Sequence, residues 1–199
     1  MSTHKLRLSI AAEAARIMAT EQVADYQVAK DKARERLRLP THSPLPSNTE
    51  IQQALRSYQQ LFLSDRQAGA LRELRQTALR WMQRLERFSP RLVGAVLDGT
   101  ADTGSVISLH VFADSTKEIA LALFDWPISY TTGERRVRTG RGQETDLPLF
   151  RITEADHIIE LTVFNERNGR QRPLSHVDGL PVQRADAGAL RTLLEPGPA

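Results

Sequence analysis

RLVGAVLDGTADTGSVISLHVFAD, running from Arg91 to Asp114, is the stretch that decides the architecture. Arg91 to Leu97 is a short apolar run and reads as a strand. Asp98 to Gly104 follows as a turn rich in Gly, Asp and Thr. Val106 to Phe112 then alternates apolar and other residues with a period of two, which predicts a second strand. Side chains alternate across a strand, so Ile107, Leu109 and Val111 point into a core. Val106, Ser108, His110 and Phe112 share the opposite face. The period upstream is helical, and this change of period implies an α+β chain.

Downstream, Ser115 to Trp126 reads as a helix ended by Pro127. Strands are expected around Ile128 to Arg138, Leu149 to Ile152 and His157 to Phe164, divided by turns at Thr139 to Thr145 and Glu154 to Asp156. Pro173, Gly179 and Pro181 mark a loop, and Asp186 to Leu194 reads as a short helix before a tail, Glu195 to Ala199. Upstream, an apolar stripe from Leu6 to Thr20 predicts a first helix. Asp25 is placed to cap a second, with Tyr26, Ala29, Ala33 and Leu37 on its apolar face. Pro40, Pro44 and Pro46 make Leu39 to Ser47 an extended linker. Asn48 or Thr49 caps a third helix bearing Ile51, Leu55, Tyr58 and Leu61 or Phe62. Ser64 and Asp65 open the longest, in which Leu71, Leu74, Ala78, Trp81, Leu85 and Phe88 form an a/d-like seam. That seam serves the following sheet, the earlier helices or a homodimer. The expected fold is therefore α+β, a helical N-terminal half packed with a small mixed sheet flanked by helices. It divides into a helical region, 1–89, and an α/β region, 90–199, either as two domains or as layers of one.

The chain has 199 residues, 40% hydrophobic, 26% charged and 6% aromatic, an ordinary globular composition. No apolar run has the length of a membrane span. The basic start, Met1 to Arg7, leads into a charged amphipathic pattern and not an apolar signal region, so a cytoplasmic location is the expectation. With no Cys, disulfides, thiol nucleophiles, Fe–S clusters and Cys-based zinc sites are excluded. The formal charge of +3 hides an asymmetry. Residues 1–90 carry 15 Lys/Arg against 9 Asp/Glu, and residues 91–199 carry 12 against 15. Arg supplies 23 of the 27 basic residues, a bias that suits bidentate phosphate or carboxylate contacts and also follows from base composition.

The Arg91 to Asp114 segment resembles the signature hairpin of the DNA polymerase β-like nucleotidyltransferase superfamily, in the form carried by its small bacterial members. There, Gly-Ser lies near the end of a first strand, and Ser-Asp-x-Asp lies on the next. Two Asp one residue apart face the same way and hold two Mg²⁺ ions on a nucleoside triphosphate, with a third carboxylate from a later strand. The helical start, with Ile10 to Met18 and Asp25 to Lys30, and the end, Gly179 to Ala185, resemble the flanks of such proteins. Aligned on Gly94 and Ser105, the serine of Gly-Ser is Ala95, the first Asp is Val106 and the second is Ser108. Valine offers no donor, and a neutral hydroxyl is a poor substitute for carboxylate at a Mg²⁺ site. Only Glu160 stands where the third carboxylate is expected. The resemblance thus implies a degenerate motif, a pseudoenzyme with no catalytic residues and no metal. Gly94, Ala95, Ser105, Ser108, His110, Arg136 and Arg138 are then the candidates for a nucleotide pocket, with Arg135 beside them.

Each candidate also has a plainer reading. Glu160 reads as a solvent-facing strand charge, His110 as a packed, hydrogen-bonded histidine, and Asp98, Asp102 and Asp114 as turn residues. The five His show no metal-ligand spacing. No P-loop, dinucleotide-fold or Gly-x-Ser-x-Gly motif is present. Three functions remain. The favoured one is a non-catalytic protein that binds a nucleotide, nucleic acid or protein partner and needs no cofactor. The second is an atypical nucleotidyltransferase that uses Mg²⁺ on Asp98, Asp102 or Asp114 with Glu160. The third is a nucleic-acid-binding or structural adaptor using Arg72, Arg75, Arg80, Arg84 and Arg87, which lie off the apolar seam on a helix face.

Overall fold

The computed structural model describes residues 3–21, 23–62, 64–138, 143–165 and 172–195. Among them are seven α-helices, one 3₁₀ turn and one five-stranded mixed sheet, an α+β fold. No helix among these residues is long and apolar enough to cross a membrane. The chain forms two compact units, Met1–Ala68 with His176–Leu180, and Gly69–Ser175 with Pro181–Ala199.

The first unit holds α1 (Thr3–Glu21), α2 (Tyr26–Arg36) and α3 (Asn48–Phe62). Ile10, Ala14 and Ile17 of α1, Ala29 and Ala33 of α2, and Ile51 and Leu55 of α3 are buried in a single core. Small alanines at the α1–α2 contact let the helices approach closely, and this is why the stripe is alanine-rich. Asp25 caps α2 as its sequence predicts, accepting from the Val28 N–H at 2.9 Å. The cap of α3 differs from expectation. Ser47 and Glu50 form a reciprocal box, the Ser47 N–H donating to Glu50 Oε2 (2.7 Å) and the Glu50 N–H to Ser47 Oγ (3.1 Å). Asn48 and Thr49 instead donate their side-chain hydrogens to the carbonyls of His176 and Val177.

The second unit is built on the sheet. Its strands are β1 (Arg91–Val93), β2 (Ile107–Phe112), β3 (Ser129–Arg138), β4 (Glu144–Glu154) and β5 (His157–Phe164), in spatial order β1-β2-β5-β4-β3. β2 and β5 are parallel, and the other neighbours are antiparallel. Arg91 to Leu97 is not one strand. It stops at Val93, Gly94 takes φ +71° and ψ −153°, and α5 (Ala95–Asp98) follows. Leu92, Val93 and Val96 are all buried, so an apolar run is required whether the backbone is extended or helical, and the pattern does not separate the two. β4 is longer than expected, beginning at Glu144 inside the anticipated turn and running through Pro148. Residues 139–142 of that turn lie outside the described residues.

α4 (Ser64–Arg84) and the 3₁₀ turn Glu86–Phe88 supply the seam. Leu74, Ala78, Trp81, Leu85 and Phe88 join Ile107, Leu109, Ile159 and Leu161 in the core under one sheet face. The seam is used up by this sheet, which removes it as a homodimer surface. Residues 69–88, counted with the helical half in the sequence reading, therefore pack in the sheet unit. α6 (Thr116–Phe124) covers the same core with Ile119 and Leu123 and starts with a full capping box between Ser115 and Glu118. α7 (Ala187–Leu194) starts at Asp186, whose carboxylate accepts from the Ala189 N–H.

Candidate functional site

Alternation along β2 and β5 divides the sheet into two faces. Ile107, Leu109 and Val111 with Ile159, Leu161 and Val163 form the core face. Ser108, His110 and Phe112 are paired one to one with Glu160, Thr162 and Phe164 on the other. This second face carries the polar cluster. Glu160 lies directly opposite Ser108 in the parallel register. It is not a solvent-facing charge, since β5 runs between β2 and β4 and Glu160 is 3% exposed.

A carboxylate so buried needs partners, and Glu160 has two. Arg151, its antiparallel partner on β4, donates Nε and Nη2 to Oε1, the Nε bond measuring 3.0 Å. Arg135, one strand further out on β3, donates Nη2 to Oε2. Both carboxylate oxygens are thus held by guanidinium groups, and the three side chains together carry one net positive charge. Arg135 and Arg151 keep 34% and 55% of their side-chain surface exposed, so the cluster reaches solvent through its arginines and not through Glu160.

Next to this cluster, Arg184 donates Nε to His110 Nδ1 at 3.0 Å. Its guanidinium lies over the rings of Phe164 (4.7 Å) and Phe112 (5.1 Å), a cation–π arrangement. The segment that bears Arg184 is tied to both edges of the sheet: the Leu174 N–H donates to the Arg138 carbonyl, and Ala185 pairs with Leu92. Burial, with Arg184 and Arg135 close by, pulls the His110 pKa down to about 3. His110 is therefore neutral at physiological pH, with Nδ1 an acceptor. Arg184 is itself pulled down to about 10 by burial and by Arg172 and Arg91. Burial is the larger cause, and the two neighbouring arginines add to it. Asp186 lies near Arg91 and is committed to capping α7.

The remaining sequence candidates lie elsewhere. Ser105 closes a local turn, donating to Asp102 Oδ1 and accepting from the Asp102 N–H. Gly94 shapes the entry to α5, and Ala95 is exposed. Arg136 pairs with Asp146 across the β3–β4 ribbon, and Arg138 has the same parity. Alternation therefore puts both on the face opposite Arg135. Among the described residues, Arg135 and Arg151 meet at Glu160 on the second face, and Arg184 lies beside them at His110. Of these, Arg151 and Arg184 carried no sequence signal, because their relation to Glu160 and His110 exists only once the strands are paired.

The supposed solvated face of α4 is also partly engaged. Arg75 donates to the carbonyls of Val96 and Leu97, and Arg84 pairs with Glu154 while lying over the Trp81 and Trp126 rings. Arg80 bonds Thr77, and Arg87 bonds the Glu118 carbonyl.

These residues do not fit a divalent cation. The Val106 side chain has no donor atom, Ser108 is neutral, and a cation at Glu160 would have to expel two arginines from the carboxylate. Nor do Asp102 and Asp114 converge with it. Asp102 is engaged by Ser105 and the Gly104 N–H, and Asp114 is exposed beyond the end of β2. Among the described residues no group of three or more His, Asp or Glu is placed to hold a metal ion. Comparison with known proteins finds no matching family model, no matching curated protein and no matching solved structure.

Proposed function

We propose that this protein is a catalytically degenerate nucleotidyltransferase-like protein that works by binding a phosphate-bearing ligand, of which a nucleotide is the simplest case, on the second face of its sheet. The observation that carries the reading is the register that puts Glu160 opposite Ser108, next to an antiparallel β1–β2 pair that Gly94 and α5 separate and α6 follows. In the resemblance, these positions are those of the third carboxylate and the second Asp. Loss of the paired carboxylates removes the two-metal clamp, and the arginines around Glu160 supply the donors that phosphate oxygens need.

The test is calorimetric titration of the whole chain with nucleoside triphosphates, with and without Mg²⁺, alongside an assay for pyrophosphate release. Binding without turnover is the expected result. Metal-dependent turnover that vanishes in Glu160→Ala would overturn the claim of inactivity.

The basic-helix reading draws less support, because Arg75, Arg84 and Arg87 are spent on contacts inside the sheet unit.

A further inference from the structure

We infer that Arg135 and Arg151 stand in for divalent cations at Glu160, so that the second face takes a metal-free phosphate anion and Mg²⁺ in solution opposes its binding. The inference rests on the phosphate-binding reading and adds the sign of its metal dependence, which is opposite to that of a two-metal site.

The argument begins with donors. A guanidinium has five N–H groups in a rigid fork. Arg151 gives Glu160 two of its five, and Arg135 gives one. Half of the Arg151 side chain and a third of Arg135 remain exposed beside a buried carboxylate that fixes both. Two forks held along one face by a shared carboxylate are preorganised for an anion that bridges them, because their ordering is already done in the absence of ligand.

Electrostatics gives the same sign. Arg135, Glu160 and Arg151 sum to one positive charge, and Arg184 adds a second next to them at His110. A divalent cation brought to this face meets net repulsion, and Glu160 has no oxygen free of a guanidinium to offer it. A polyphosphate already chelated by Mg²⁺ arrives with reduced negative charge and with some of its oxygens occupied. It therefore forms fewer charge-assisted bonds with the arginines than the free anion does.

Titration of the full chain with sodium pyrophosphate, once in excess EDTA and once in excess Mg²⁺, tests this directly. Binding is expected in EDTA and is expected to weaken by about tenfold or more in Mg²⁺, the loss of one charge-assisted contact. Arg151→Gln is expected to weaken the EDTA binding by about tenfold, whereas Arg136→Gln, on the opposite face of the sheet, keeps it. If Arg151→Gln does not fold, the double variant Glu160→Gln/Arg151→Gln, which leaves no unpaired buried charge, carries the same expectation. Binding seen only with Mg²⁺ and lost in Glu160→Gln would overturn the inference and leave the phosphate reading standing. An absence of binding in both conditions would overturn both.

Discussion

Glu160 is buried on a central strand while both of its guanidinium partners reach solvent, so the members of this cluster are not equivalent. Removing the acid lets two half-exposed arginines hydrate, and removing the arginines strands a buried carboxylate. Glu160→Gln is therefore expected to cost at most about 1 kcal/mol, as for an exposed pair. The double variant Arg135→Ala/Arg151→Ala is expected to cost about 3–5 kcal/mol, as for a broken buried pair. Urea denaturation of the two variants at neutral pH measures both, and equal costs would contradict the asymmetry. His110 supplies a pH test. Its folded pKa of about 3 lies below the unfolded value of about 6.5, so between these limits the unfolded state binds the extra proton. Stability contributed by neutral His110 is complete above about 6.5 and is lost as pH falls toward 3, at up to about 1.4 kcal/mol per pH unit. The His110 ring resonances should show no titration from pH 8 to 5. A midpoint near the ordinary histidine value would show that burial and Arg184 do not act as described.

At the scale of elements, the break in the Arg91 to Leu97 run matters most, since it separates β1 from α5 and sets where β2 returns. Gly94 makes that break with a φ of +71° paired with ψ −153°, a region open essentially to glycine alone, and a Cβ there would meet nothing within 4 Å. The cost of Gly94→Ala is therefore conformational and not steric, about 1–3 kcal/mol. Gly133 on the edge strand β3 also has open space and has no positive φ, so Gly133→Ala should be neutral or stabilising by up to about 1 kcal/mol. Thermal melts of the two variants check the contrast, and a Gly94→Ala protein as stable as Gly133→Ala would refute it. Helix starts were readable where one residue does the work, as at Asp25, Ser115 and Asp186. The cap of α3 lies at Ser47, one residue before Asn48 and two before Thr49, because those two side chains are equally good caps by type and are drawn instead to carbonyls at 176 and 177.

For the whole molecule, a pI near 9.6 and a net charge of +3 invite a nucleic-acid reading, and the contacts of α4 argue against one. Arg75 and Arg84 serve carbonyls, Glu154 and two indole rings, so they are not a free stripe for phosphates. Duplex DNA or RNA should show no retardation by this protein at about 0.15 M salt, and Arg80→Ala/Arg84→Ala should leave that result unchanged. Salt-sensitive retardation lost in that variant would restore the adaptor reading. Periodicity along the chain was enough to specify the α+β class, the apolar faces of α1 and α4 and the inward set Ile107, Leu109 and Val111, because residues on one element share a face by spacing alone. On α2 and α3 it held for Ala29, Ala33, Ile51 and Leu55 but not for Leu37 and Leu61, which are exposed. The surroundings of Glu160 were decided elsewhere. Its burial, and the meeting of residues 9 and 25 positions away on two other strands, depend on which strand lies beside which and in what register. Strand order is chosen by the packing of the entire sheet, so a buried Glu-Arg cluster and a solvated strand charge have the same local sequence and differ only once the strands are assembled.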